Sequence, residues 1–384
     1  MQTIGAAALL SAVLSACGGG GGGSSAPAPV STPTPATPAQ LNATFSLATA
    51  SPAEVGTTTA AVEAVLDHIF TDAAIQGVLV TKRGYVIGER YSAGKDAQSL
   101  GTSWSVAKSF YSAAVGVAID EGWITSLEQP ASDFLTEWQG GPKADVTIGQ
   151  LLEMRAGLPA DSQIFFADDQ TAYALALDQT QSAGGAFVYS NPTSQLFEPL
   201  LQRATGLDAH NYLIDKILQP ISVDSNTIGL WFDRTGANPI TYWGLDMRIR
   251  DFARFGLLFA RDGMWDGQQV VSADFANAAT STTSAIYGMQ WWIMNADFFG
   301  TSTPIEVYAA RGLDGQKIYV FEDADIVVVV LTQYEHPANQ GYTLSDSNFP
   351  DTCTARNSCP GAVGGEVPGF SERELMGLLA ALQD

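Results

Sequence analysis

Three short stretches hold residues whose types and spacing could do chemistry. In "SWSVAKSF", positions 103–110, Ser105 and Lys108 stand three apart where helical sequence begins. On a helix they share one face, one turn apart, and the lysine nitrogen reaches the serine hydroxyl. A lysine at its ordinary pKa of about 10.4 cannot accept a proton at neutral pH. The positive end of a helix disfavours a charged ammonium and favours a developing oxyanion, as a Ser–Lys nucleophile requires. The plainer reading is that Ser103 or Ser105 caps the helix while Lys108 stays in solvent. A second pair at the same spacing, Ser92 and Lys95, encloses Gly94, follows strand-like sequence and reads as a loop.

The second stretch is "VYSNPTSQLF", with Tyr189 and Asn191 flanking Ser190. A tyrosine beside an ammonium has a lowered pKa and exchanges protons with a hydroxyl. Asn191 can orient the lysine or bind a substrate carbonyl. Taken singly, Tyr189 also fits a core position before a Pro-containing helix start. The third stretch is "ARGLDGQKIYV". Gly312 permits close approach of a ligand to the backbone, and an edge strand offers free N–H groups. An ordinary hairpin would look the same.

These stretches need a scaffold. Positions 57–70 read as a helix and 77–91 as a hairpin, and 105–122 is helical. "TIGQLLEMRAGL" starts a helix with Thr147 and Gln150 at capping-box spacing, with Gly157 at its stop. Helical sequence continues to about 262. "IEVYAARG", "QKIYVFE" and "DIVVVVLT" are β-rich and split by short turns. A last helix opens on Ser371 and Glu374, again at capping-box spacing. The expected fold is α+β: an antiparallel β-sheet built from both chain ends and flanked by helices, with an inserted all-helical lobe. The α/β lobe would take about 46–100 and 265–384, the helical lobe about 105–262.

Together the three stretches resemble the serine β-lactamase and penicillin-binding-protein superfamily on its class C side. That side includes carboxylesterases and 6-aminohexanoate-dimer hydrolases. Ser105-Val106-Ala107-Lys108 matches its S-x-x-K and Tyr189-Ser190-Asn191 its Y-x-N. "LLEMRAGL" and "WGLDMRIRDFARFGLLFARDG" look like its connecting segments. The resemblance spans about 60–335 and implies a β-lactamase/transpeptidase-like fold and covalent acyl transfer. Ser105 would be the nucleophile, with Lys108 and Tyr189 as proton relay. The N–H groups of Ser105 and Leu313, beside Gly312, would form the oxyanion hole, and Asn191 would contact lysine or substrate. Where the family carries K-T-G or H-x-G, this chain has Ala310-Arg311-Gly312. If Ala310 faces the site, Arg311 points away by strand alternation. A missing cation at Ala310 favours short esters or linear amides over β-lactams. β-Lactamase or D-alanyl peptidase activity, an acyl-trapping penicillin-binding protein and a non-catalytic binding lipoprotein stay open. A Ser-His-Asp enzyme is disfavoured, because no G-x-S-x-G elbow occurs.

Composition bounds the rest. The 384 residues are 46% hydrophobic, with 40 acidic against 18 basic side chains and a net charge of −22. Such a surface repels phosphate backbones, so nucleic acid is an unexpected partner. "MQTIGAAALLSAVLSAC" reads as an export signal over 1–16, and its "LSAC" resembles a bacterial lipobox with Cys17 lipidated. Residues 17–45, largely Gly, Ser, Ala, Pro and Thr, read as a flexible tether. The expected location is the outer membrane, facing periplasm or cell surface, held only by the lipid. Cys353 and Cys359 are the candidates for a disulfide in an exported protein. No metal is expected, since His68, His210 and His336 lack ligand-type spacing, and no cofactor is needed.

Overall fold

The computed structural model describes residues 40–333 and 370–383. Cys17, Cys353, Cys359, His336, the signal segment and most of the tether lie outside the described residues. In chain order the elements are α1 (Thr59–Ile69), β1 (Ile75–Lys82), β2 (Tyr85–Tyr91), β3 (Leu100–Thr102), α2 (Ala107–Asp120), α3 (Ile148–Leu152), α4 (Gln170–Ala176), α5 (Asn191–Gln195), α6 (Phe197–Thr205) and α7 (Ala209–Leu213). Then follow β4 (Gly229–Leu230), β5 (Leu245–Arg248), α8 (Ile249–Phe259), β6 (Met264–Trp265), β7 (Gln268–Gln269), α9 (Ala273–Thr280), β8 (Trp292–Met294), α10 (Ala296–Phe299), β9 (Val307–Arg311), β10 (Lys317–Phe321), β11 (Ile326–Thr332) and α11 (Glu372–Ala380).

The main sheet runs β2-β1-β11-β10-β9-β8, and every neighbouring pair is antiparallel. Strands from both chain ends therefore meet at β1 and β11, as the sequence pattern requires. Alternation along β11 divides the core. Val327, Val329 and Leu331 join the cluster that contains α2 and α8, while Ile326, Val328 and Val330 join α1 and α11 on the other face. A Cβ on Gly256 of α8 would lie 2.5 Å from Val327 Cγ1 and 2.7 Å from Ile318 Cγ2. Glycine there lets α8 rest directly on the sheet.

Three features differ from the sequence reading. The packed body starts before residue 46: Leu41 N–H donates to Glu54 O, Thr44 N–H donates to Arg83 O, and Phe45 packs on Trp265 at 4.9 Å. Isolated composition could not reveal those long-range partners. The inserted lobe is mostly helical but includes β4 and β5, which join β3 in a three-stranded sheet. At α11 only half of the expected capping box forms: the Ser371 hydroxyl accepts from Glu374 N–H, while the Ser371 N–H donates to His68 Nε2. Glu372 turns back toward β9 and β10.

A buried glutamine ties the helices that carry the candidate residues. Gln290 is 2% exposed. Its side chain donates to Leu152 O at 2.6 Å and accepts from Ser194 of α5 at 2.9 Å. Its backbone carbonyl accepts from Ser109 of α2 at 2.7 Å. Buried polar groups fully paired in this way fix the relative register of the elements they join.

Candidate active site

Ser105 lies in a single 3-10 turn, Trp104–Val106, that runs into α2. Neither of these helix starts has a side-chain cap, so the cap reading does not hold. Ser103 is buried and its hydroxyl accepts from Leu245 N–H at 3.1 Å. Trp104 sits at φ 44°, a left-handed conformation that costs a bulky residue about 1–3 kcal/mol. Its neighbours hold it there: Trp104 is 4% exposed and stacks at 5.2 Å on Trp243. Directly after it, Ser105 is partly exposed.

Lys108, one turn on, is 1% exposed. Its Nζ lies 2.7 Å from Ser105 Oγ, 2.9 Å from Asn191 Oδ1 and 2.9 Å from the Tyr242 carbonyl oxygen. The rings of Tyr189 and Tyr242 flank it at 5.0 and 5.5 Å. Burial holds its pKa well below the ordinary lysine value, because the charged form loses its hydration. A neutral amine has two N–H donors and one lone pair. The Asn191 and Tyr242 oxygens only accept, so they take the two N–H groups. The lone pair is then left for the Ser105 hydroxyl.

Tyr189 and Asn191 arrive together because Ser190 between them is locked. Ser190 is the N-cap of α5, accepts from Thr193 N–H, and donates its hydroxyl to Pro159 O at 2.8 Å. Pro192 suits the first turn, where its missing N–H costs nothing. Asn191 thus projects from the head of α5 toward Lys108. Tyr189 reaches the Ser105 hydroxyl. Burial pushes its phenol up to about 12, opposed by the Ser105 hydrogen bond and by the charge of Arg311. Its ring lies against Trp292 at 5.3 Å.

The third stretch closes the other side. A Cβ on Gly312 would fall 2.5 Å from Ser103 O and 3.0 Å from Trp104 Cβ, so only glycine lets the end of β9 approach the Ser105 turn. The turn after it is fixed by Gly312 N–H donating to Gln316 O at 2.8 Å. Buried Gln316 exchanges hydrogen bonds with Thr332. Among the described residues, the N–H groups of Ser105 and Leu313 have no backbone acceptor. Ala310 is fully buried in the core cluster with Trp104 and Ile318. Arg311 lies on the opposite face, with its Nη1 2.5 Å from Glu372 Oε1.

Ser105, Lys108, Tyr189 and Asn191 are therefore brought together, with Gly312 and Leu313 beside them. Sequence reasoning missed the Tyr242 carbonyl, Trp292, and the Arg311–Glu372 pair. A backbone carbonyl leaves no signature in residue type. Among the described residues, no group of three or more His, Cys, Asp or Glu side chains could hold a metal ion. No helix of the described residues is long and apolar enough to cross a membrane.

Solved structures share this fold. A Bacillus anthracis protein provisionally named a 6-aminohexanoate-dimer hydrolase matches with a TM-score of 0.60 at 20% identity, over 70% of this chain and 76% of its own. A penicillin-binding protein homologue from Caulobacter crescentus matches at 0.58 and 17%, over 71% and 91%. A β-lactamase from Mycobacterium bovis matches at 0.52 and 19%, over 70% and 90%. The β-lactamase family model matches residues 62–346, a span that includes Ser105, Lys108, Tyr189 and Gly312. The chain belongs to the β-lactamase family, within the superfamily of serine β-lactamases and penicillin-binding proteins.

Proposed function

We propose that this protein hydrolyses a neutral ester or linear amide through an acyl-enzyme on Ser105. The observation that carries this reading is the buried Lys108 amine 2.7 Å from Ser105 Oγ. Lys108 is taken as the resting base: burial lowers its proton affinity, and the Asn191 and Tyr242 oxygens hold the amine against Ser105. Tyr189 rests as the neutral phenol. Lys108 takes the Ser105 proton as Oγ attacks the carbonyl carbon. The oxyanion forms between the N–H groups of Ser105 and Leu313. The proton passes through Tyr189 to the leaving oxygen or nitrogen, the carbon–leaving-group bond breaks, and water then cleaves the acyl ester by the same relay.

The preference for neutral substrates rests on the third stretch. Ala310 offers no charge and is buried, and Arg311 is already paired with Glu372. A carboxylate held by a charge-assisted hydrogen bond gains about 1.5–3 kcal/mol, a factor on the order of 10 to 100. The Bacillus anthracis relative is provisionally named a 6-aminohexanoate-dimer hydrolase, which is why linear amides stand beside esters here. A panel of short acyl esters, linear amides and a chromogenic cephalosporin, run on wild type and Ser105→Ala, tests this. Esters or amides should turn over at least tenfold better than the cephalosporin, and only in the wild type. Efficient cephalosporin turnover would contradict the preference.

Export and lipid anchoring at Cys17 are proposed from the sequence alone. Cys17→Ser should release the protein from the membrane fraction. A wild type that is fully soluble and unlipidated would contradict it.

A further inference from the structure

Arg311 is an odd residue to end a core strand, and the groups around it say what it does. Its guanidinium donates to Glu372 Oε1 of α11. The same oxygen takes the Tyr319 hydroxyl at 2.6 Å and lies 3.1 Å from Lys317 Nζ, both on β10. Burial pushes the Glu372 carboxyl up. The charges of Arg311 and Lys317 and the hydrogen bonds from Arg311 and Tyr319 overcome this and hold it well below the usual carboxylate range. Arg311 and Lys317 thus both engage the same carboxylate oxygen. The other face of the guanidinium lies over the Phe298 ring at 4.9 Å. Phe298 meets Trp292 edge-on at 6.2 Å, and Trp292 lies 5.3 Å from Tyr189. A continuous line of packed rings therefore runs from Arg311 to the phenol beside Ser105.

We propose that Arg311, clamped by Glu372, is a positioning residue for Tyr189, which makes the C-terminal helix α11 part of the apparatus that sets the active site. Arg311 pins Phe298, and through it the Trp292 wall that supports the Tyr189 ring. Its fixed charge also favours the negative charge that gathers on the phenol oxygen as Tyr189 passes its proton. The groups facing Tyr189 are Ser105 and Lys108 from the nucleophile turn and α2, Tyr287 ahead of β8, and Arg311 from β9. Lys317, Tyr319 and Glu372 stand behind Arg311. Because Glu372 already occupies the guanidinium, Arg311 acts on the enzyme rather than on a substrate carboxylate. This inference rests on the Ser105–Lys108–Tyr189 reading above.

The test uses the full chain, a neutral short-chain ester, and a fluorophosphonate that labels Ser105, over pH 6–9. Arg311→Met should lower kcat about tenfold with KM changed less than about threefold. Its labelling midpoint should move about half a pH unit upward, because removing a positive charge raises the proton affinity of Lys108 and Tyr189. Arg311→Lys keeps the charge and should restore the midpoint while recovering only part of kcat, since it lacks the planar fork. If Arg311→Met misfolds with Glu372 short of a partner, Arg311→Met/Glu372→Gln removes both charges and should show the same loss of kcat. Wild-type kcat and midpoint in a folded variant would overturn the proposal. So would a KM increase confined to carboxylate-bearing esters, which would make Arg311 a substrate-binding residue. Wild type that does not label at Ser105 would overturn the underlying reading instead.

Discussion

The chain holds two serine–lysine pairs at identical spacing, and they differ in everything except spacing. At Ser92 the chain turns: Lys95 N–H donates to Ser92 O at 3.0 Å, and Gly94 takes φ 79°. Lys95 is exposed, and the Ser92 hydroxyl accepts from the Gln333 side chain at 3.1 Å. At Ser105 the backbone continues into a 14-residue helix, which carries the lysine inward. There two oxygens from distant parts of the chain, on Asn191 and Tyr242, hold the amine against the hydroxyl. A solvated lysine stays protonated and is no base. Burial with fixed acceptors is what would convert the same pair of residue types into the nucleophile and base proposed above.

Breaking the pair should separate the two regions by many orders of magnitude. Ser105→Ala is expected to lower turnover by on the order of 10⁶-fold, the scale seen when a nucleophile is removed, whereas Ser92→Ala leaves it unchanged. Steady-state hydrolysis of the best ester measures both. Next in size is the base: Lys108→Ala should cost on the order of 10⁴-fold. Lys108→Arg should rescue nothing, since a guanidinium does not give up its proton. Lys95→Ala should match wild type. An active Lys108→Arg enzyme would sink the role given to the lysine. Smaller again, Tyr189→Phe should lower kcat about 10²- to 10³-fold, the range of general acid–base assistance.

Burial leaves a thermodynamic signature that sharpens the contrast further. The pKa of Lys108 is lowered in the folded state, so above that value the unfolded chain binds more protons. Stability therefore rises with pH up to the unfolded lysine value near 10.5. Lys108→Met should flatten that rise. Glu198 supplies the opposite sign. It is 2% exposed and hydrogen-bonded by Thr171 at 2.8 Å, and burial pushes it up to about 7. Here the folded state binds more protons, so stability falls as pH rises from about 4.5 through about 7. Glu198→Gln should stabilise the protein by about 1–3 kcal/mol at pH 8 and change little at pH 4. Chemical denaturation across pH, with parallel slopes in variant and wild type, would contradict both assignments.

Much of this was legible in residue order. Strand-type runs at both ends with helical sequence between them point to an antiparallel sheet built from both chain ends, and β1 pairs with β11 to make it. The helix context of Ser105 and the asparagine of Tyr189-Ser190-Asn191 pointed to the right neighbours. What stayed hidden depended on groups that carry no type-specific signal or on long-range partners. The Tyr242 carbonyl could belong to any residue. Glu372 stands in the first turn of α11, and only the antiparallel pairing of Arg311 with Lys317 brings both cations to it. The alternation that points Tyr308 into the α2–α8 core takes Ala310 with it, and which partner Arg311 would find on the other face could not be read from the strand alone.

The central claim is that Ser105, and not the equally spaced Ser92, forms the covalent intermediate. Intact-mass analysis after fluorophosphonate treatment, with peptide mapping, tests it most directly. The account predicts one adduct per chain, mapped to Ser105, lost in Ser105→Ala and Lys108→Ala and retained in Ser92→Ala. An adduct that persists in Ser105→Ala, or that maps to another serine, would contradict it.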